Sequence, residues 1–483
     1  MKLPRPAPRH LHALAAALLL GGCASMAPPF DPPPLPVPAR YAEDTGPAGA
    51  LPAADWRATF TDPQLQALIA QALANNRDLR TAVLRVEEAR AAQGIQRADL
   101  FPTLGAQAGV DRSRVPADLN LTRHPLLGSQ YQVGLGLASW ELDLWGRVRS
   151  LGDAALENYL ATDAARRAVA ISLVAQVANG YLALREFDER LVLARQTTAS
   201  REESLRIFTR RVQVGSASRL NLTQMQTLLT QAQALVAQLE LARAQQAHAL
   251  DLLVGAPVAL APAQGRLDAL QMPPLQAGLP SDLLVQRPDI TAAEHQLKAA
   301  HAHIGAARAA FFPRIALTSS LGTASAELGG LFDSGSQAWT FSPSITLPIF
   351  NAGRLRNNLQ LSEVRRDIAV ANYEKAVQAA FRDVADALAA RQGLARQLAI
   401  AQDALAAQAE RARLSQLRFD NGAAAFLDVL DAQRDLLVAE QQTVQLRRAL
   451  LSSQVGLYAA LGGGAPEPAP ARATSSDLTP AAP

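Results

Sequence analysis

The chain of 483 residues is written twice. A shift of 211 residues superposes Asp78 on Asp289, Gly94 on Gly305, Arg97 on Arg308 and Phe101-Pro102 on Phe312-Pro313. Further along the shift becomes 207 and holds. Gly146-Arg147 then falls on Gly353-Arg354, Val177-Ala178 on Val384-Ala385, Arg211 on Arg418, Gly215 on Gly422 and Gly255 on Gly462. A repeat of this length makes each copy one structural unit, so what one copy folds into the other must match. We place the first copy at residues 52–262, a linker at 263–288, the second copy at 289–462 and a disordered tail at 463–483.

Each copy reads helix, two strands, long helix, turn, helix. In the second copy Ala292 to Ala310 is helical until Phe312-Pro313 breaks it, because the residue before a proline is driven out of the helical region. Alternation follows, with Ile315, Leu317, Ser319 and Leu321 on one face and Ala316, Thr318, Ser320 and Gly322 on the other. Next, Phe341, Pro343, Ile345, Leu347 and Ile349 oppose Thr340, Ser342, Ser344 and Thr346. The first copy sets Tyr131, Val133, Leu135 and Leu137 against Gln132, Gly134, Gly136 and Ala138, with a weaker partner near Thr103–Asp111. Strands of about ten residues, apolar on one face and small or polar on the other, suit a membrane barrel with a wet lumen. They suit a half-buried soluble hairpin equally well. Pro343 lacks an N–H for the ladder and belongs at an edge or bulge.

No proline interrupts Gly146 to Val214 or Gly353 to Asn421. Each run is roughly 100 Å long if it is one helix rising ~1.5 Å per residue. A seam at alternating steps of four and three passes Val377, Phe381, Val384, Leu388, Arg391, Ala395, Leu398, Gln402, Leu405, Ala409, Ala412, Gln416 and Phe419. That spacing predicts coiled-coil packing. The helices reverse at Val214-Gly215-Ser216 and Asn421-Gly422-Ala423, where glycine supplies the positive φ of a helix end. Each copy is thus a long helical hairpin on a short β-hairpin. Four strands do not close a barrel, and an open edge in hydrocarbon leaves backbone groups unpaired. Closure then needs further copies, and strand count alone does not choose between dimer, trimer and tetramer.

Residues 1–22 carry Lys2, Arg5 and Arg9 ahead of the apolar run from Leu14 to Leu20, the form of a secretory signal. Leu20-Gly21-Gly22-Cys23 resembles a bacterial lipobox, which implies cleavage before Cys23 and acylation of its thiol. Ala24 after it implies outer-membrane retention, and the proline-rich stretch within residues 23–51 is a semi-rigid tether. Without the leader, 43 basic residues face 43 acidic ones, so no net field attracts nucleic acid or anionic lipid. Cys23 is the only cysteine, which excludes an internal disulfide and a multi-cysteine metal site. No later window offers the ~18 consecutive apolar residues of a spanning helix.

Three motifs carry a family resemblance. Asp55-Trp56 through Asp62-Pro63-Gln64-Leu65, followed by Asn76-Arg77-Asp78-Leu79, resembles the opening of the outer-membrane efflux factors. Leu279-Pro280-Ser281-Asp282-Leu283-Leu284 with Arg287-Pro288-Asp289-Ile290 resembles their mid-chain signature. Arg418-Phe419-Asp420-Asn421-Gly422 running into Leu427-Asp428-Val429-Leu430-Asp431-Ala432 resembles their periplasmic tip. Together with the lipobox, the chain resembles the TolC-like family in its OprM/NodT lipoprotein branch over roughly residues 52–462. The resemblance implies a homotrimer whose twelve-stranded outer-membrane barrel continues into a periplasmic α-helical tunnel. It also implies a periplasmic adaptor protein and an inner-membrane pump, usually of the resistance-nodulation-division type, with the chain as a passive exit duct. The rival reading is a lipid-anchored periplasmic scaffold or adaptor without a pore.

The family's paired gate aspartates match Asp428 and Asp431, and a leucine, aspartate and arginine of the lipoprotein branch match Leu427, Asp431 and Arg434. Asp428 and Asp431 are three apart and share a helix face, so threefold symmetry would ring a narrow mouth with carboxylates. An exposed acidic helix start favoured by the helix dipole fits the same residues. Phe419 stands where the family usually has tyrosine and Ala424 where an arginine occurs, which weakens any latch through those positions. The family meets its adaptor with the hairpin tips, which here are Arg211 with Gly215 and Arg418 with Gly422; ordinary helix capping fits these too. His295, His301 and His303 lack metal-ligand spacing, no catalytic or phosphate-binding motif is present, and no cofactor is expected beyond the lipid on Cys23.

Overall fold

Two long Pro-free segments are each one unbroken helix in the computed structural model of the chain. It describes residues 26–31, 33–34, 36–38, 41, 55–258, 267–273, 275 and 287–463. Cys23 and the lipobox, most of the tether, Leu279–Leu284 and the tail beyond residue 463 lie outside the described residues. The first copy runs α1 (Trp56–Thr59), α2 (Pro63–Asn75), α3 (Arg77–Ala98), β1 (Leu104–Val115), β2 (Leu126–Glu141), α4 (Arg147–Gln213) and α5 (Arg219–Val254). The second runs α6 (Pro288–Ala309), β3 (Arg314–Ser325), β4 (Gln337–Thr346), α7 (Arg354–Asp420) and α8 (Phe426–Ala460). Both α4 and α7 have 67 residues, the common length that the repeat demands.

The residues group into two compact units. The first holds Leu84–Asp163, Ala292–Glu374 and the described residues of Met1–Pro34. Its sheet is a four-stranded antiparallel meander in the order β1-β2-β3-β4. Register aligns the alternation across all four strands. Val110 faces Tyr131, Ala108 faces Val133 and Ala106 faces Leu135; Leu135 faces Leu321, which faces Trp339. The opposite face carries Gln107, Gly134, Gly322 and Ala338 in one row, with Ser320 bonded to Thr340 beside it at 2.7 Å. The apolar row is open to the surroundings, Trp339 being 70 % exposed. The β2–β3 register shifts between Leu137 and Trp140. Pro343 lies on β4, an edge strand, where a missing N–H costs least.

The end of β2 is pinned by charge. The Glu141 carboxylate accepts from Arg147 at 2.8 and 2.7 Å and pairs with Arg314 at 2.8 Å. Trp145 stacks on Phe312 and donates its indole N–H to the Pro313 carbonyl at 2.8 Å, so the Phe-Pro stop of the second copy seats the start of α4. Ala154 of α4 packs on Ala299 and Ala302 of α6, and Ala27 lies so close to Gly305 that a Cβ there would meet it at 2.8 Å.

The second unit holds Ala164–Thr291, Lys375–Pro483 and Leu35–Val83, in each case the described residues of the range. One 18-residue window of α4 is apolar and long enough to cross a membrane by composition, yet 44 % of it is buried. Tyr181 and Leu182 are fully buried, and the Tyr181 hydroxyl meets Asp62 at 3.2 Å. The predicted seam of α7 holds at Val377, Val384, Leu388 and Ala412, which are buried. It misses at Ala395, Gln402 and Ala409, which are exposed; Leu394, Ala401 and Gln408 turn inward instead. Both phases share Arg391, Leu398, Leu405, Ala412 and Phe419, because positions seven apart satisfy steps of four-three and three-four alike.

Several buried charges in this unit are paired, whereas Arg201, only 4 % exposed, keeps a buried Nη1 without a hydrogen-bond partner among the described residues. Glu186 binds Arg190 at 2.9 Å and Arg448 at 2.8 Å, while Glu189 lies 3.6 Å from Arg447. Arg287 forks onto Asp289 at 3.0 and 2.6 Å, reaches Asp383 at 3.3 Å and donates to the Ala460 carbonyl at 2.9 Å.

Candidate functional site

Both hairpin tips end their first helix the same way. Gly215 and Gly422 adopt φ of 76° and 71°, the left-handed region open to glycine. Gly215 N donates to the Val212 carbonyl at 3.0 Å and Ser216 N to the Arg211 carbonyl at 2.8 Å. In the second copy Gly422 N donates to Phe419 at 2.9 Å and Ala423 N to Arg418 at 2.8 Å. These paired bonds are Schellman caps, which satisfy the last carbonyls of α4 and α7.

The returning helices then differ. Ser218 caps α5, its Oγ accepting from Asn221 N at 3.2 Å. Ala425, its repeat equivalent, offers α8 no side-chain cap. Asp428 stands in the first turn of α8, where the positive end of the helix dipole favours a carboxylate. Its first-copy equivalent is Asn221, so only one of the two hairpins carries the acid.

Leu427 and Asp428 are exposed, and the Asp428 carboxylate has no hydrogen-bond or ion-pair partner among the described residues. Asp431 does have one: Arg434 Nη1 lies 3.1 Å from its Oδ1, within the same helix. Arg434 also reaches Asp435, with Nη2 at 3.1 Å and Nε at 3.2 Å. Asp435 takes a further bond from Arg411 of α7 at 2.7 Å. Hydrogen bonds from Arg411 and then Arg434 hold the Asp435 carboxyl below its ordinary range. The candidate gate is therefore a charge ladder Asp431–Arg434–Asp435–Arg411, with Asp428 standing free before it.

The tip rests on aromatic packing. Phe426, immediately before Leu427, lies between Phe208 of α4 at 4.5 Å and Phe419 of α7 at 4.8 Å, centroid to centroid. Phe208, Met225 and Leu430 form the buried centre. The Arg211 guanidinium lies 5.5 Å from the Phe208 ring and 5.7 Å from Phe419. Arg418 instead donates to the Ala423 carbonyl at 3.2 Å, within its own turn.

Sequence reasoning named Leu427, Asp428, Asp431, Arg434 and the four tip residues, and the structure gathers them at the ends of the two hairpins. It passed over Asp435, Arg411 and Phe208. A signal for the first pair existed: Arg411 stands eleven residues before Gly422 and Asp435 thirteen after it, and antiparallel arms bring such positions together.

Among the described residues no group of three or more His, Cys, Asp or Glu is placed to hold a metal ion. His295 meets Glu157 at 2.6 Å, and burial, then Arg366 for His301 and Arg365 for His303, lowers the other two imidazoles.

A β-meander with an exposed apolar face and open edges, in a chain that also folds into two long helical hairpins, fits a subunit of an outer-membrane channel. The comparison with known proteins agrees. The model of the outer membrane efflux protein family matches residues 68–256 and again 279–463, one match for each copy, and the chain belongs to that family. It is 46 % identical over 459 residues to the solvent efflux pump outer membrane protein SrpC of Pseudomonas putida, covering 93 % of this chain and 97 % of SrpC. Its fold is similar to a crystal structure of a membrane protein from Pseudomonas aeruginosa, with a TM-score of 0.86, 43 % identity and coverage of 91 % of this chain and 100 % of that one. It is also similar to the open state of the MtrE outer membrane channel of Neisseria gonorrhoeae, with a TM-score of 0.84, 41 % identity and coverage of 91 % and 98 %. These relatives are efflux proteins and channels, so the pore-less scaffold finds no support among them.

Proposed function

We propose that three copies of this chain form a passive exit duct through the outer membrane, completing a twelve-stranded barrel above a periplasmic helical tunnel. The observation that carries this reading is the sheet itself: it has two unpaired edges, β1 and β4, and lines one face with Gly, Gln, Ser and Thr. In hydrocarbon those edges must be paired, and in a ring of three the β4 edge of one copy pairs with the β1 edge of the next. The chain does no chemistry and holds no metal or cofactor; Cys23 carries the lipid anchor. Drugs, solvents or other small solutes pass through it, driven by an inner-membrane pump of the resistance-nodulation-division type through a periplasmic adaptor.

Leu427, Asp428, Asp431 and Arg434 form the periplasmic gate in this reading. Rings of Asp428 and Asp431 select by field at the mouth, and Arg434 holds Asp431 within its own protomer. The tips at Arg211, Gly215, Arg418 and Gly422 present backbone to the adaptor's helical hairpin.

The test is complementation. The chain, expressed with its adaptor and pump in a Gram-negative strain lacking its own outer-membrane efflux protein, restores resistance to exported compounds, and cross-linking in the membrane counts three chains. Sensitivity unchanged with the protein assembled in the outer membrane, or a count other than three, contradicts the reading.

A further inference from the structure

The repeat supplies two arginines one turn before the two tip glycines, and the structure uses them differently. Arg418 closes its own turn on the Ala423 carbonyl. Arg211 leaves its turn and stands over two rings, Phe208 of its own helix and Phe419 of the other hairpin. It is the cation that spans the first-copy tip and the second-copy tip.

What that span controls is the start of α8. Ala425 gives α8 no side-chain cap, so local capping does not fix its first turn as Ser218 fixes that of α5. Phe426 does the fixing, seated between Phe208 and Phe419, and Leu427 and Asp428 follow it directly. A guanidinium over the faces of the outer two rings draws α4 and α7 together around the third, since ring faces carry negative quadrupole density. We propose that Arg211 is a positioning residue: a cation–π clamp that holds the two hairpin tips together and so keeps the Leu427–Asp428 turn where it lies, opposing its outward movement when the gate opens. The clamp rests on the gate reading given above.

Planar-bilayer recording of the purified full-length protein tests it. Variants are Arg211→Gln, Phe419→Leu, both together, Arg211→Lys and, as the reference for an opened gate, Asp428→Ala/Asp431→Ala. An exposed cation–π contact is worth a factor of about two to five in an equilibrium. Arg211→Gln should therefore raise the open-state fraction about two- to fivefold, Arg211→Lys should raise it less, and Arg211→Gln should add nothing in the Phe419→Leu background. If the aspartate double variant conducts while Arg211→Gln behaves as the unaltered protein, the clamp is wrong and the gate stands. Full additivity of Arg211→Gln and Phe419→Leu also overturns it. If no variant conducts, the gate reading falls and the clamp with it.

Discussion

Arg411 Nη1 stands 2.7 Å from Asp435 Oδ2, tying the two arms of the second hairpin together just behind the candidate gate. The first copy has Ser204 and Leu228 at the equivalent positions, so its arms lack this tie. The repeat has thus kept its backbone and diverged in charge at one tip only.

The Asp435 carboxyl is held below its ordinary range, chiefly by the hydrogen bond from Arg411 and next by that from Arg434. With the folded pKa depressed, the contribution of the ladder is complete above the unfolded value and is lost only as pH falls through the folded one. Arg411→Gln should move the Asp435 titration back up toward the ordinary carboxylate range. An isotope-labelled aspartate carboxyl resonance, titrated in both proteins, reads this directly; coincident titration curves would contradict it.

Gly134 and Gly322 are register partners across β2 and β3. A Cβ on Gly134 would lie 2.8 Å from Gly322 Cα, and one on Gly322 would lie 2.5 Å from Gly134 Cα. These are backbone atoms that do not step aside, so Gly134→Ala or Gly322→Ala should part the strands at a cost of about 1–3 kcal/mol or more. Gly105→Ala, with open space around its new methyl, is the control. The yield of assembled protein in outer-membrane fractions should drop for the first two alone.

Arg287 belongs to the mid-chain motif, and its side chain is only 10 % exposed. It joins the start of α6, the middle of α7 and the last turn of α8 through Asp289, Asp383 and the Ala460 carbonyl. Arg287→Ala removes the bonds to Asp289, Asp383 and the Ala460 carbonyl and should cost about 1–3 kcal/mol, since both carboxylates are partly exposed and Asp383 keeps Arg382 at 2.7 Å. Arg287→Lys should fall between, because an ammonium cannot reproduce the fork onto Asp289. Loss of the helical circular-dichroism signal at a lower temperature measures both; equal melting of all three proteins would refute the structural role.

Much of the fold was legible because it is periodic. The repeat, the alternation of Ile315 to Gly322 and the glycine reversals at Gly215 and Gly422 each follow from a local rule. The phase of the α7 seam was not: Ala395 and Leu394 are both compatible with a heptad through Arg391 and Leu398, and only packing against other helices chooses Leu394. The same division runs through the candidate site. Asp428, Asp431 and Arg434 lie within two turns of one helix and show in the spacing. Asp435 takes its meaning from Arg411 on the other arm, legible only by folding the hairpin about Gly422, and Phe426 from Phe208 in the other copy, a contact that no window of sequence contains.

The central claim is that the chain forms a channel closed at an acidic mouth, and planar-bilayer conductance tests it most directly. Wild-type protein should conduct weakly, with cations favoured over anions. Asp428→Ala/Asp431→Ala should conduct several-fold more and lose that preference, since both the ring of charge and the tie from Asp431 to Arg434 are removed. No conductance from either protein, with both assembled in the bilayer, would contradict the account.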